Sequence, residues 1–274
     1  MSVDFVHLTD LHLSHPDNDD PNLHSDTVAN LRAMIARLRQ ITPQPAFVVI
    51  SGDLTNQGDT ASYRLLRDML ADLPMPVIHA LGNHDNRAAF RAVFADIVGD
   101  ASSPDAPYYH HAVQGGVQII TLDTSVPGRV GGRICDEQFT FLEQALRAAP
   151  DLAKLLVIHH PPLICKTALA WESLDRNDSD RLATALRGHN VAGILSGHIH
   201  VNRVSHWHGI PVILCNGLHA TIDVLKPSGM RIEEGTGFGY CSLGASGITV
   251  SFVPLTPERP ILGEISDDLL RSFR

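Results

Sequence analysis

The sequence predicts an α/β protein built on largely buried, mostly parallel strands. Short apolar runs rich in β-branched residues recur along its 274 residues, and amphipathic stripes separate many of them. No internal repeat or linker breaks the pattern, so one domain spanning residues 1–274 is expected. Residues 3–8, 46–50, 77–81, 117–122, 155–159, 191–195, 212–215 and 248–253 read as strands. Between the first two, residues 27–40 place Val28, Leu31, Ile35 and Leu38 on one helical face. Residues 62–73 repeat the pattern with Leu66, Met69, Leu70 and Leu73. A third stripe of Phe139, Leu142, Leu146 and Ala149 follows Asp136, read as its N-cap, and residues 177–187 form a weaker fourth. After His200 the helical pattern fades, and a second sheet or an antiparallel edge is expected there. The glycine-rich stretch 239–247 fits a hairpin turn, because no Gly-Lys-Ser/Thr follows as a phosphate-binding loop requires.

Composition narrows the function. With 44% hydrophobic and 19% charged residues the chain is an ordinary globular one. Its net charge of −9 argues against a nucleic-acid polymer as partner, since phosphate binding wants a basic face. No apolar run approaches the roughly 18 residues of a membrane span, so no membrane partner is expected. The start, MSVDFVHLTD, has an acid where a signal peptide has a basic residue, so a cytoplasmic location is expected. Cys135, Cys165, Cys215 and Cys241 form no CxxC pair and read as reduced thiols. Against 2 Trp, 4 Tyr and 9 Phe, the 16 His stand out. Their number points to imidazole chemistry.

Five segments share one design, an apolar strand running into polar residues at its C-terminal end. They give Asp10 and His12; Asp53; Asn83, His84 and Asp85; His159 and His160; and His198 and His200. Ligands of open α/β sheets gather at such ends, so the five tips should converge on one crevice. If the chain stays extended, Asp10-x-His12 and His198-x-His200 each point two side chains to one side. Gly52, Gly82 and Gly197 precede these residues where the chain turns sharply or approaches another backbone. Carboxylate, imidazole and amide oxygen without thiolate suit Mn, Fe, Co or Zn. Seven donors (Asp10, His12, Asp53, Asn83, His159, His198 and His200) exceed the needs of one catalytic zinc and suit two metals sharing a carboxylate.

The ordered motifs D-x-H, G-D, G-N-H-D, H-H-P-P and G-H-x-H, spanning residues 10–200, resemble the calcineurin-like metallophosphoesterase superfamily. Within it the chain is most similar to class III cyclic nucleotide phosphodiesterases and the related bacterial glycerophosphodiesterase. The resemblance implies a four-layer α/β/β/α sandwich of two mixed sheets with a dinuclear centre of divalent transition metals. It implies that Asp10, His12, Asp53 and His200 hold one metal, and that Asp53, Asn83, His159 and His198 hold the other. His84 would stand beside the leaving group. The implied activity is hydrolysis of small phosphodiesters, either cyclic nucleotides or glycerophosphodiesters, by a hydroxide held between the metals, with Asp53 and His84 catalytic. Phosphomonoester or nucleotide or lipid-linked pyrophosphate hydrolysis on the same centre is the alternative. A binding module on a degenerate scaffold would have lost ligands, and this chain keeps them all. By the same resemblance residues 201–274 include a cap and oligomer-forming region, so a homo-oligomer is expected.

Substrate contacts are expected from His84, Asn83, His200, His160 and His219. The segment 163–176 should overhang the metals, with Leu169 and Trp171 placed either to stack on a base or alcohol group or to fill a subunit contact. Asp123 ends a strand nearby and is expected to hydrogen-bond a ligand histidine, whereas His79, mid-strand, should be packed and hydrogen-bonded.

Overall fold

Side-chain alternation along the strands decides the architecture. In β1 (Val3–Leu8), Val6 and Leu8 face one apolar cluster while Phe5 faces another. In β2 (Val48–Ser51) the same division separates Val48 and Ile50 from Val49. Strands buried on both faces need cover on both, and the helices supply it. The computed structural model describes residues 2–99, 101–164 and 171–255.

Helices α1 (Thr27–Arg39) and α2 (Thr60–Leu70) cover the outer face of the first sheet, joined after β3 (Val77–Ala80) by the short α3 (Arg87–Val93). Asp26 and Asp59 cap α1 and α2 by accepting from Ala29 N and Ser62 N. The chain then forms β4 (His110–Gln114) and β5 (Val117–Leu122), α4 (Asp136–Ala148), β6 (Lys154–Ile158), α5 (Arg176–Leu186) and β7 (Val191–Ser196). It continues through β8 (Arg203–Trp207), β9 (Ile210–Leu214) and a small ribbon of β10 (Thr221–Ile222) with β11 (Ile232–Glu233). A hairpin of β12 (Gly237–Gly244) and β13 (Gly247–Pro254) ends the described chain.

The first sheet has the order β13-β12-β1-β2-β3 and the second β4-β5-β6-β7-β9-β8. Both are mixed. Strands β1–β3 run parallel, as do β5, β6, β7 and β9, while the edge pairs β12–β13, β4–β5 and β8–β9 are antiparallel. Phe5, Phe47, Val49 and Ile78 of one sheet meet Ile119, Leu155, Val157 and Leu195 of the other in a central core. Helices α4 and α5 cover the outer face of the second sheet. The result is the expected α/β/β/α sandwich.

One detail differs from the sequence reading. The N-cap of α4 is Cys135, without a side-chain bond; Asp136 is the first helical residue, where its charge meets the positive end of the helix. The last third supplies the expected antiparallel edge and one small two-stranded sheet, β10 with β11. Its β8 and β9 extend the second sheet, whereas β12 and β13 return to the first as an antiparallel edge. The hairpin at 239–247 does form, with Gly244 opposite Gly247. Leu169 and the C-terminal part of the expected oligomer-forming region, residues 256–274, lie outside the described residues. No helix among the described residues is long and apolar enough to cross a membrane.

Candidate metal centre

Strand ends from both sheets meet at one rim. Asp10 and His12 follow β1, Asp53 follows β2, Asn83 and His84 follow β3, His159 follows β6, and His198 and His200 follow β7. Asp53 Oδ2 lies 3.2 Å from His159 Nε2 and 3.5 Å from His12 Nε2. Asp10 Oδ1 lies 3.3 Å from His200 Nε2 and accepts from the His198 amide at 3.0 Å. All of these side chains are buried except those of Asn83 and His200, which are half-buried, and that of His84, which is exposed.

The backbone here is not extended. Asp10 (φ 48°), His12 (φ 43°), Asp53 (φ 49°), His198 (φ 74°) and His200 (φ 53°) all occupy the left-handed region. His208 is the sixth and last such non-glycine residue among those described. Each left-handed residue costs on the order of 1–3 kcal/mol, and such strain persists only where the surroundings over-determine it. Here they do. Leu11 and Ile199, between the paired donors, are buried in the outer cores, and the amides of Asp10 and His12 donate to Gly52 O and Asp53 O at 3.0 Å. Side chains two apart therefore converge because the chain curls, not because a pleat aligns them.

Two glycines make room for this. A Cβ on Gly52, itself at φ +108°, would lie 2.6 Å from His159 Nδ1. One on Gly197 would lie 1.8 Å from Thr9 Oγ1 and 2.5 Å from Asp10 Oδ2.

One ring nitrogen of each donor histidine is committed elsewhere. Nδ1–H of His159 donates to Ser51 O at 3.0 Å, and that of His200 to Ala220 O at 3.0 Å. His12 donates from Nδ1 to Asn56 Oδ1 at 2.7 Å, and His198 donates from Nε2 to Trp171 O at 2.6 Å. In the neutral ring the opposite nitrogen is then a lone pair, as in a metal-ligating imidazole fixed by an outer hydrogen bond. His159 Nε2 and Asn83 Oδ1 are buried with no hydrogen-bond partner. Carboxylate, amide and imidazole atoms converging in this way fit bound cations.

Comparison with known proteins agrees. The family described as calcineurin-like phosphoesterase matches residues 3–202. The chain belongs to that family. It is 34% identical, over 91% of its length and 83% of the relative's, to a probable cyclic nucleotide phosphodiesterase of Rhodococcus erythropolis. It is 33% identical, over 82% of its length and 70% of the relative's, to a cAMP/cGMP dual specificity phosphodiesterase of Mycobacterium tuberculosis. Among solved structures, a dimetal phosphatase from Danio rerio matches with a TM-score of 0.67 at 17% identity, over 93% of this chain and 96% of that one. That likeness shows the shared fold.

Charge in this phosphoesterase site is balanced by contact. Burial would raise the Asp10 and Asp53 carboxyls, but His200 beside Asp10, and His159 beside Asp53, hold both well below the usual carboxylate range. Burial drags His12 down to about 3 and His198 to about 4, so both are neutral. Burial pulls on His159 too, yet Asp53 and Asp10 outweigh it and lift the group to about 9.

A cavity of about 230 Å3 opens over the donors, with His84, His219 and Asn56 in its wall beside His12, Asp53 and Asn83. His84 is exposed; its amide donates to Asp53 Oδ1 at 2.9 Å and its Nδ1–H to Asn56 O at 2.9 Å, which leaves Nε2 free. His219 Nε2 accepts from the His24 amide at 2.9 Å, so its proton sits on Nδ1.

His160 needs correcting: it is not a substrate contact. It is fully buried, its Nδ1 accepts from Thr124 Oγ1 at 2.7 Å, and its Nε2–H donates to Val130 O at 2.8 Å. Asp123 likewise serves Arg87 Nε at 2.8 Å and the Tyr108 amide at 2.9 Å, not a donor histidine. His79 is buried, as expected, but its ring nitrogens have no partner.

Sequence reasoning missed the supports of the phosphoesterase site. Asn56 accepts from His12 and donates from Nδ2 to Asp20 Oδ2 at 2.7 Å. Asp85 accepts from the amides of Leu54 (3.1 Å) and Gly82 (2.9 Å) and from Tyr63 OH (2.8 Å), which ties the β2 and β3 tips to α2. Burial, reinforced by Asp53, lifts that carboxyl to about 7. Asp85 at least stood in the Gly-Asn-His-Asp string. Nothing in the sequence marks Asp20 or Tyr63.

Proposed function

We propose that the protein is a dinuclear metal-dependent phosphodiesterase acting on small diesters, with cyclic nucleotides and glycerophosphodiesters as the candidate classes. One observation carries the reading. Seven donors from both sheets converge under a cavity whose described lining residues include no lysine or arginine. A monoanionic diester needs only the metal charges for its phosphate, whereas a monoester dianion or a pyrophosphate brings charge that cationic side chains would normally meet. That contrast places the diester ahead of the monoester and pyrophosphate alternatives.

Asp10, His12, Asp53 and His200 would hold one divalent cation, and Asp53, Asn83, His159 and His198 the other, with Mn, Fe, Co and Zn all suited to this donor set. When bound, such a pair supplies Lewis-acid activation of water and of phosphate oxygens. The chain's own residues do the rest. Asp53 serves both positions and offsets the repulsion between two cations. His84, fixed by Asn56 O through Nδ1–H, presents Nε2 to the cavity. As imidazolium it donates from Nε2 to the departing alkoxide oxygen. His219 offers an Nδ1–H donor from the cavity wall beside it.

The test is turnover by Mn-loaded protein of bis(p-nitrophenyl) phosphate against p-nitrophenyl phosphate. A higher kcat/KM on the diester is expected. A higher value on the monoester would move the phosphomonoesterase reading ahead.

A further inference from the structure

The β10–β11 ribbon leaves the metal centre directly. Ala220 O accepts from His200 Nδ1 at 3.0 Å, and Thr221 Oγ1 donates to His200 O at 2.7 Å, so the ribbon starts on a donor histidine. It is a braced hairpin: Ile222 pairs with Ile232, and Arg231 is bonded to Asp223 at 2.7 Å. With Arg231 committed to Asp223, its neighbours Met230 and Ile232 line the cavity, together with Ile222. Met230 is 51% and Ile232 45% exposed, and Val130, also in the cavity wall, is 53% exposed. Large apolar side chains thus stand open to water beside a polar, metal-type centre. Solvated apolar surface at the mouth of a binding cavity is stabilised when a ligand covers it. The one hydroxyl on the ribbon strand nearest the donors, that of Thr221, is already committed to His200 O and is not free for a ligand.

We propose that this ribbon is the specificity element of the site: Ile222, Met230 and Ile232 receive a flat or apolar ester arm, an aryl or base-like group, and favour diesters that carry one over diesters with short or hydroxylated arms. The inference rests on the phosphodiesterase reading and adds the substrate class within it. A polar diol arm would leave the apolar wall exposed, so it forfeits the contact that an aryl arm makes. One lost apolar contact of this kind is worth roughly 10-fold or more in discrimination.

Two substrates with one leaving group isolate the retained arm: phenyl p-nitrophenyl phosphate and methyl p-nitrophenyl phosphate. The ratio of their kcat/KM values is measured for the Mn-loaded wild-type chain and for Met230→Ser, Ile232→Ser and the double variant. Binding of diphenyl phosphate and dimethyl phosphate is followed by calorimetry on the same preparations. The phenyl-to-methyl ratio should fall about 10-fold in the double variant, and the calorimetric preference for diphenyl phosphate should shrink with it. Met230 and Ile232 are half-exposed, and unchanged metal content per chain shows that the centre survived the substitutions. An unchanged ratio in both assays, with both diesters still turned over, overturns the ribbon assignment and leaves the phosphodiesterase reading standing. If the wild type hydrolyses neither diester yet binds diphenyl phosphate more tightly, and the variants lose that preference, the catalytic reading fails and the apolar wall stands.

Discussion

Nε2 of His12 and Nε2 of His200 face each other at 3.1 Å, while each ring turns its Nδ1 to an oxygen acceptor. Asp10 Oδ1 and Asp53 Oδ2 flank the pair at 3.3 and 3.5 Å. Four acceptors at this range repel unless positive charge sits among them.

Metal content follows. Protein made in metal-replete medium should carry about two transition metals per chain by elemental analysis. Asp53→Ala should lose more metal than Asn83→Ala, because in the proposed centre the carboxylate would serve both positions and the amide would be a neutral donor to one. Equal losses in the two variants would count against a shared carboxylate.

Asn56 is the second prediction. Its side chain orients His12 while its carbonyl holds His84. Asn56→Leu keeps the carbonyl and removes the amide, so His12 loses its anchor and His84 does not. Metal affinity in a chelator competition should drop about 10–100-fold, the usual cost of deleting an outer partner of a ligating histidine. An affinity equal to wild type would show that the His12 orientation is set by packing alone.

His84→Ala should harm poor leaving groups far more than good ones. An alkoxide from ribose or glycerol needs a proton as its bond to phosphorus breaks, and p-nitrophenolate does not. The expected loss on an alkyl diester is about 10²–10⁴-fold, and much smaller on bis(p-nitrophenyl) phosphate, with metal per chain unchanged. Equal losses accompanied by metal loss would make His84 a ligand or a scaffold residue.

Acid sensitivity can be tied to His79. Burial, and secondarily His110, lowers this imidazole from 6.5 to about 3, so the unfolded chain takes up a proton that the folded one refuses. The stability that neutral His79 preserves is complete above pH 6.5 and is lost as the pH falls towards 3. One such group contributes a slope of up to about 1.4 kcal/mol per pH unit. The ring sits against Phe90 and Phe94, so His79→Phe should fit there and flatten urea-derived stability between pH 6 and 4. Part of the slope should remain, since burial also lowers His7 and His110 to about 4. A variant profile as steep as that of the wild type would remove His79 from the account.

Much of this was readable in advance where one strand decides its own fate. Strands β1 and β5 occupy the residues expected of them, because runs buried on both faces announce themselves. The half-exposed edge strand β4, HHAVQ, and the seven-residue α3 carry no such signature. All seven donors were legible because each follows an apolar run. Their curled backbone was not, since a positive φ at Asp10 or His200 is imposed by partners distant in sequence. The same holds for Ser51 O, Trp171 O and Ala220 O, which fix three imidazoles and are backbone atoms that no residue type advertises. His160 misled for the converse reason. Adjacent to a donor in sequence, it packs on the His198 and His159 rings, but both of its nitrogens are consumed by Thr124 and Val130.

Strand β1 lies between β2 and β12, with Val3 opposite Leu243. The strand that delivers Asp10 and His12 therefore waits, during synthesis, for a neighbour made some 240 residues later. Until β12 leaves the ribosome, one edge of β1 is bare and open to pairing with another nascent chain. The donors of β1 can meet those of β2 and β3 early, but they are clamped from both sides only at the end. Closure of the sheet around the β1 donors is thus a late event of vectorial folding, and chains stalled before β12 are the ones most exposed to mispairing.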